Sequence, residues 1–327
     1  MHIVITGGAG FLGSRLARQL LQRGTLTGRD GQPQEIKRIT LLDVVPAQGF
    51  TDPRIEAVTG DIADAAVIER VITPETQSIF HLAAIVSGHA EADFDLGMKI
   101  NFDATRVILE RARALGTKPR VVFTSSVAVF GGELPAVVPD NTLLMPQSSY
   151  GAQKVMGELL VQDYSRKGFI DGRALRMPTI SVRPGAPNKA ASSFFSNIIR
   201  EPLNGQEAVL PVEDDVMHWH ASPRSAVGFL IHAATMNTEV LGWRRNLTMP
   251  GVAATIGEEL DALRKIGGDK ALKLVRREPD PVIMKIVAGW PRRFNAARAS
   301  SFGFTAENSF EEIVRAHVDD ELGGNVP

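Results

Sequence analysis

The chain contains no cysteine, which excludes disulfides, thiolate zinc sites and a cysteine nucleophile. It holds no apolar run of transmembrane length, and its opening residues lack the basic-then-apolar profile of a secretory signal. Net charge is also scarce. The 36 Lys and Arg against 37 Asp and Glu leave a formal −1, with no broad electrostatic signal for nucleic acid or an anionic membrane. Small basic pairs such as Lys37-Arg38 and Arg276-Arg277 read as solvated surface. The remainder, 44% hydrophobic and 22% charged over 327 residues, is ordinary for a soluble globular chain of one large or two coupled domains. A cytoplasmic location is the default expectation.

Against that plain background stands Gly7-Gly8-Ala9-Gly10-Phe11-Leu12-Gly13. It follows the apolar run His2 to Thr6 and precedes an amphipathic segment from Ser14 to Arg23, the context of a dinucleotide-binding turn. Gly7 permits the tight turn, Gly10 lets the backbone approach a pyrophosphate, and Gly13 allows close packing of helix on strand. The first-turn N–H groups, those of Phe11 and Leu12 included, are aimed at the phosphates.

Apolar segments near 2–7, 38–43, 54–58, 77–82, 119–125 and 170–176 alternate with expected helices near 11–23, 64–72, 97–115 and 149–167. That rhythm predicts an α/β fold: a Rossmann-type parallel sheet covered by helices on both faces. Gly28 to Lys37 reads as an extended polar surface connection. Beyond Arg183 the rhythm loosens. Helices are expected near 190–200, 222–236, 255–267 and 307–320, with short strands near 207–211 and 244–249. The expected division is a mainly dinucleotide-binding domain over 1–180 and a smaller mixed α/β substrate lobe over 181–327, some of whose segments return to the first domain.

Asp43 ends the second main strand, where a carboxylate accepts both ribose hydroxyls of the adenosine half and repels the extra phosphate of NADP. NAD is therefore the expected cofactor. Asp61 and Ile62 follow the next strand, Asp61 as an acceptor for the adenine amine and Ile62 against the ring; an Asp helix cap is the plainer alternative. Ala83 and Ala84 are small enough for a cofactor to cross the strand tip.

Ser125-Ser126 close an apolar run, and Tyr150 and Lys154 lie one helical turn apart on one face. A tyrosine with a reference pKa of about 10 is a poor base near neutrality, but a neighbouring ammonium favours its phenolate. Lys154 also suits a ribose, and a serine hydroxyl at the strand end can orient a reacting oxygen.

Together these residues resemble the extended short-chain dehydrogenase/reductase family, the group that includes sugar-nucleotide epimerases and dehydratases. The likeness runs through Thr6 to Gly13, Asp61-Ile62, His81-Leu82-Ala83-Ala84, Asn101 to Thr105, Ser125-Ser126, Val129-Phe130-Gly131 and Tyr150 to Lys154. It implies that Ser126 rather than Ser125 is catalytic, with Tyr150 and Lys154, and that Tyr150 and Lys154 also bind the cofactor. It implies that Asn101 props the serine strand, helps organise the proton path and borders the cofactor, and that Pro178 adds a cofactor contact. A homodimer through the helices bearing Asn101 and Tyr150 is a further implication. The family's dehydratases carry an acidic pair where this chain has Val127-Ala128, which disfavours dehydration.

Arg176 to Gly185, Pro187 to Phe195 and His218 to Arg224 resemble a branch of that family acting on a four-carbon sugar acid. The implied reaction is NAD-dependent oxidation of the C2 hydroxyl of D-erythronate to the 2-oxo acid. Arg183, then Arg224, would hold the carboxylate through the planar guanidinium fork. Ser87, Thr179, Asn188 and His220 would meet hydroxyls, alongside Ser126 and Tyr150. No metal is expected, because His218 and His220 lack a compelling third ligand. The other readings are a nucleotide-sugar epimerase and a non-enzymatic NAD-binding regulator; Ser126, Tyr150 and Lys154 together argue against the latter.

Overall fold

The apolar segments His2–Thr6 and Arg38–Asp43 pair in parallel, Ile3 beside Ile39 and Ile5 beside Leu41, in a computed structural model that describes residues 1–185 and 192–326. In chain order the elements are β1 (His2–Thr6), α1 (Phe11–Arg23), β2 (Thr25–Thr27), β3 (Pro33–Glu35), β4 (Arg38–Asp43), β5 (Ile55–Thr59), α2 (Ala65–Val71) and β6 (Thr76–His81). Then come α3 (Ser87–Ala92), α4 (Phe94–Gly97), a π-helical segment (Met98–Asp103), α5 (Ala104–Leu115), β7 (Arg120–Ser126), α6 (Ser149–Arg166) and β8 (Asp171–Met177). The later elements are β9 (Thr179–Ile180), α7 (Ser193–Leu203), β10 (Ala208–Leu210), β11 (Met217–Ala221), α8 (Pro223–Thr235), β12 (Asn246–Thr248) and β13 (Val252–Thr255). The chain ends through α9 (Ile256–Leu272), β14 (Val275–Arg277), α10 (Pro281–Ala288), α11 (Ala297–Ser301) and α12 (Phe310–Glu321).

These elements form two compact units, the first comprising Met1–Val129, Ser148–Arg176 and Val227–Leu247, the second Phe130–Gln147, Met177–Ala226 and Thr248–Pro327. The first is built on a seven-stranded sheet of order β12-β8-β7-β6-β1-β4-β5, with parallel pairing from β7 through to β5. Strand order reverses at β1, which lies between β6 and β4, so a crevice opens past the carboxyl ends of these strands. Val4, Leu42, Ile79, Val121 and Phe123 bury one face of the sheet against Ile68 of α2, Ile108 and Leu109 of α5 and Val161 of α6. Ile3 and Ile5 alternate to the other face, where α1 buries Leu16, Ala17 and Leu20.

The second unit is mixed α/β. Phe195, Ile198 and Ile199 of α7, Leu260 and Leu263 of α9 and Ile313 and Val314 of α12 form its apolar core. Around it stand a three-stranded sheet, β13-β11-β9, and a two-stranded one, β10-β14. Among the described residues no helix is long and apolar enough to cross a membrane.

Two local expectations differ from the structure. The polar 28–37 stretch contributes to a hairpin, with Leu26 facing Gln34 and Thr27 facing Pro33. Buried Leu26 and Ile36 anchor its two sides, and so few apolar residues leave no alternation to read. The single helix expected over 97–115 is a short α-turn, a π segment and then α5. π-Helical segments are concentrated at functional sites.

Burial also sets an acid limit on stability. It is the leading cause holding four imidazoles below their usual value, His2 at about 4, His81 and His220 at about 3, and His218 well below 6.5. The unfolded chain binds these protons as pH falls through about 6.5 and the folded chain does not, so stability is lost below that pH. Each histidine costs about 1.4 kcal/mol per pH unit in that window. Glu259, whose carboxyl burial pushes up, acts in the opposite sense. Urea unfolding should therefore show a midpoint that drops steeply between pH 6.5 and pH 5; a flat profile would contradict neutral burial.

Candidate active site

The turn between β1 and α1 owes its shape to glycine. Gly7 has φ +71°, and a Cβ there would meet Ala83 N at 2.9 Å. A Cβ on Gly13 would fall 2.2 Å from Gly7 O, so α1 can approach β1 this closely only without a side chain at that position. The N-cap of α1 is Gly10, with no side-chain cap, and the helical ladder begins with Ser14 N donating to Gly10 O. The N–H groups of Phe11, Leu12 and Gly13 precede that ladder, as a helix-terminal anion site requires. This cradle fits the diphosphate of a dinucleotide.

Asp43 stands at the end of β4, where its carboxylate accepts from Ala9 N at 3.0 Å and Val44 N at 2.8 Å. Each of its oxygens keeps further acceptor capacity for ribose hydroxyls. Asp61 accepts from Ala63 N at 2.8 Å and pairs with Lys99 at 2.8 Å, and those hydrogen bonds hold its carboxyl below the usual range. The cap of α2 is Asp64, which accepts from Ala66 N. Ile62, at 3% exposure, packs its side chain into the core of the first unit. Ala83 and Ala84 lie half-buried just past β6. Pro178, between β8 and β9, is buried.

The catalytic candidates gather on β7 and α6 of the first unit. Adjacent strand residues face opposite ways, which separates the two serines. Ser125 is buried and donates to Glu158 at 2.6 Å, while half-buried Ser126 accepts from Ala128 N at 3.1 Å. Ser148 caps α6 by accepting from Gly151 N. A Cβ on Gly157 would meet Phe123 Cζ at 2.6 Å, so this glycine lets α6 settle against β7. That approach brings Lys154 Nζ to 2.8 Å from Thr124 O, 4.9 Å from the Phe123 ring centre and 5.6 Å from the Tyr150 ring centre. Burial lowers the Lys154 pKa to about 7, with the Glu158 charge acting against the fall.

Sequence reasoning missed Glu158, one helical turn beyond Lys154 and 2% exposed. It accepts from Arg176 Nη2 at 2.7 Å and Asn246 Nδ2 at 3.0 Å as well as from Ser125, tying α6 to β7, β8 and β12. The i, i+4 spacing from Lys154 was the one available signal. Asn101 also departs from expectation. Its amide oxygen accepts from Ile85 N at 2.8 Å, and its Nδ2 donates to Ile85 O at 3.1 Å and Gln153 Oε1 at 2.7 Å. These bonds prop the segment after β6 and helix α6 instead of the serine strand, and the side chain is 1% exposed.

The substrate candidates divide. Ser87 is half-buried at the start of α3 in the first unit. In the second unit Thr179 Oγ1 lies 2.7 Å from His218 Nε2. Arg183 donates through Nε to Ile180 O and through Nη2 to Ser192 Oγ at 2.8 Å. His220 is corrected as a substrate contact. It is wholly buried between Ser181 Oγ at 3.1 Å and Glu259 Oε1 at 3.2 Å. Arg224 is turned to α12, where Asp320 at 2.7 Å and Asp319 at 3.5 Å balance its charge. Asn188 lies outside the described residues.

A model of the NAD dependent epimerase/dehydratase family matches residues 3–220. D-Erythronate dehydrogenase of Cupriavidus necator is 55% identical over 320 residues, covering 98% of both chains. D-Erythronate dehydrogenase of Haemophilus influenzae is 44% identical over 323 residues, 98% of this chain and all of that one. Among solved structures, the nucleoside-diphosphate-sugar epimerase from Agrobacterium tumefaciens superposes with a TM-score of 0.95 at 51% identity, covering 100% of this chain and 96% of that one.

Proposed function

The chain belongs to the NAD-dependent epimerase/dehydratase family, and from that premise we propose that it oxidises the C2 hydroxyl of D-erythronate to 2-oxo-D-erythronate. The observation that carries this reading is the 55% identity to a D-erythronate dehydrogenase along 98% of both chains. The Ser126, Tyr150 and Lys154 grouping supplies the chemistry.

NAD, when bound, supplies the acceptor for the hydride leaving C2. The glycine turn would hold its diphosphate and Asp43 its adenosine ribose. Tyr150 takes the alcohol proton as its phenolate, and Lys154, anchored on Thr124 O, favours that phenolate while it carries charge. Ser126 donates to the reacting oxygen and orients it. Val127 and Ala128 offer no acid or base for water elimination.

Arg183 is the proposed carboxylate anchor, in preference to the ion-paired Arg224, with Thr179, Ser87 and Asn188 for the hydroxyls. We assign cofactor binding mainly to 1–180 and substrate binding mainly to 181–327. A cytoplasmic homodimer is the proposed setting; Phe94 of α4 and Leu159 of α6, each 58% exposed, support an interface on these helices.

The likeness to a nucleotide-sugar epimerase structure at 51% identity favours a second reading, epimerisation, which needs the same hydride and proton transfers. Spectrophotometric assay of purified protein with NAD against C4 to C6 aldonates and nucleotide sugars separates the two. Oxidation accumulates NADH, whereas epimerisation returns the hydride and accumulates none.

A further inference from the structure

The end of β1 and the stretch leaving β6 meet at the glycine cradle, where a Cβ on Gly7 would lie 2.9 Å from Ala83 N. One buried side chain, His81, joins them to α5, the helix that continues the π segment. In the parallel register it sits beside Thr6, the residue before the turn. Its Nδ1 is 2.7 Å from Thr6 Oγ1 and its Nε2 is 2.9 Å from Thr105 Oγ1. All three residues are at most 2% exposed, so no water competes for these bonds.

Hydrogen-bond direction along this chain follows from valence. Thr105 Oγ1 lies 2.9 Å from the carbonyl of Asn101, which only accepts, so the single hydroxyl proton of Thr105 points there. Thr105 must then accept from His81 Nε2–H. The neutral imidazole, with burial holding its pKa at about 3, has its lone pair on Nδ1 and accepts from Thr6. The oxygen of Thr6 in turn accepts from Ala83 N at 3.3 Å. The run Ala83 N–H to Thr6 to His81 to Thr105 to Asn101 O has one consistent direction.

One end of this run meets the cradle, and the other leads to Asn101 on the π segment. Ala83 is the residue that a Cβ on Gly7 would strike, and Asn101 grips Ile85 at both N and O and holds Gln153, the neighbour of Lys154. We propose that His81 is a positioning residue that locks the glycine turn and the Ala83–Ile85 stretch to the π segment, and thereby sets how tightly the cradle holds the dinucleotide. The proposal rests on the cofactor reading above. Its signature is a change in cofactor affinity with little change in the chemical step, because His81 touches neither substrate nor reacting atoms.

The test measures the NAD dissociation constant by calorimetric titration and the melting temperature of the cofactor-free protein. It also measures kcat at saturating NAD. Thr105→Val keeps the side-chain shape and removes the acceptor for His81; NAD should bind about tenfold more weakly, a loss of the order of one hydrogen bond, with kcat within about threefold. Thr105→Ser restores the hydroxyl and should return the wild-type constant. His81→Phe should weaken binding at least as much as Thr105→Val. His81→Asn, whose amide oxygen replaces the Nδ1 acceptor for Thr6, should recover part of the loss. Wild-type NAD affinity in folded Thr105→Val, with only a lower melting temperature, would overturn the proposal. Failure of the wild-type protein itself to bind NAD would instead overturn the cofactor reading.

Discussion

Tyr150→Phe is expected to lower turnover by about 10²–10⁴-fold, the usual contribution of a positioned acid–base group. The ring is kept, so α6 retains its packing and Lys154 its place 2.8 Å from Thr124 O and beside the aromatic faces. Only the oxygen that receives the alcohol proton is lost. NAD affinity should stay within about threefold of wild type, since the glycine turn and Asp43 are untouched, a difference well under 1.4 kcal/mol. Steady-state kinetics and a binding titration on the same preparation check both parts. Near-normal turnover would remove Tyr150 from the mechanism, and loss of binding alone would restrict it to cofactor binding.

Glu158→Leu should destabilise the protein by about 3–5 kcal/mol, the cost of stripping one partner from a buried ion pair. Arg176 is 2% exposed and keeps its charge, while its carboxylate counter-charge 2.7 Å away is gone. Ser125 and Asn246 lose an acceptor at the same time. Against a typical total of about 5–15 kcal/mol this is a large fraction, visible as a lower urea midpoint. Replacing both partners, Glu158→Leu with Arg176→Met, should recover much of the loss because no buried charge remains. A single variant as stable as wild type would mean that the pair contributes little. Where the single variant folds, Lys154 loses the charge that resists its fall in pKa, so its ammonium should deprotonate at lower pH.

What was legible in the chain was local. The glycine turn, Asp43 at a strand end, and Tyr150 with Lys154 one turn apart are fixed by spacing within one or two elements, and the main strands and helices followed from period. The rest depends on residues far apart in sequence. Glu158 acquires its meaning from Arg176 and Asn246, which come from other strands. Arg183 and Arg224 look alike as candidate anion binders until Asp320, 96 positions away, is seen to pair with Arg224. His220 reads as a polar contact because nothing in its neighbourhood announces that Glu259 and Phe310 will enclose it. Asn101 was read as a prop for the serine strand, and the π segment that aims its amide at Ile85 leaves no trace in hydrophobic period.

The most direct test of the account is NADH formation by the purified protein with D-erythronate and NAD, read at 340 nm, with NADP and a nucleotide sugar as parallel arms. The account predicts stoichiometric NADH with a 2-oxo acid product, weaker activity with NADP because Asp43 repels its extra phosphate, and none with the nucleotide sugar. Turnover of a nucleotide sugar to its epimer without net NADH, alongside inactivity on D-erythronate, would contradict it.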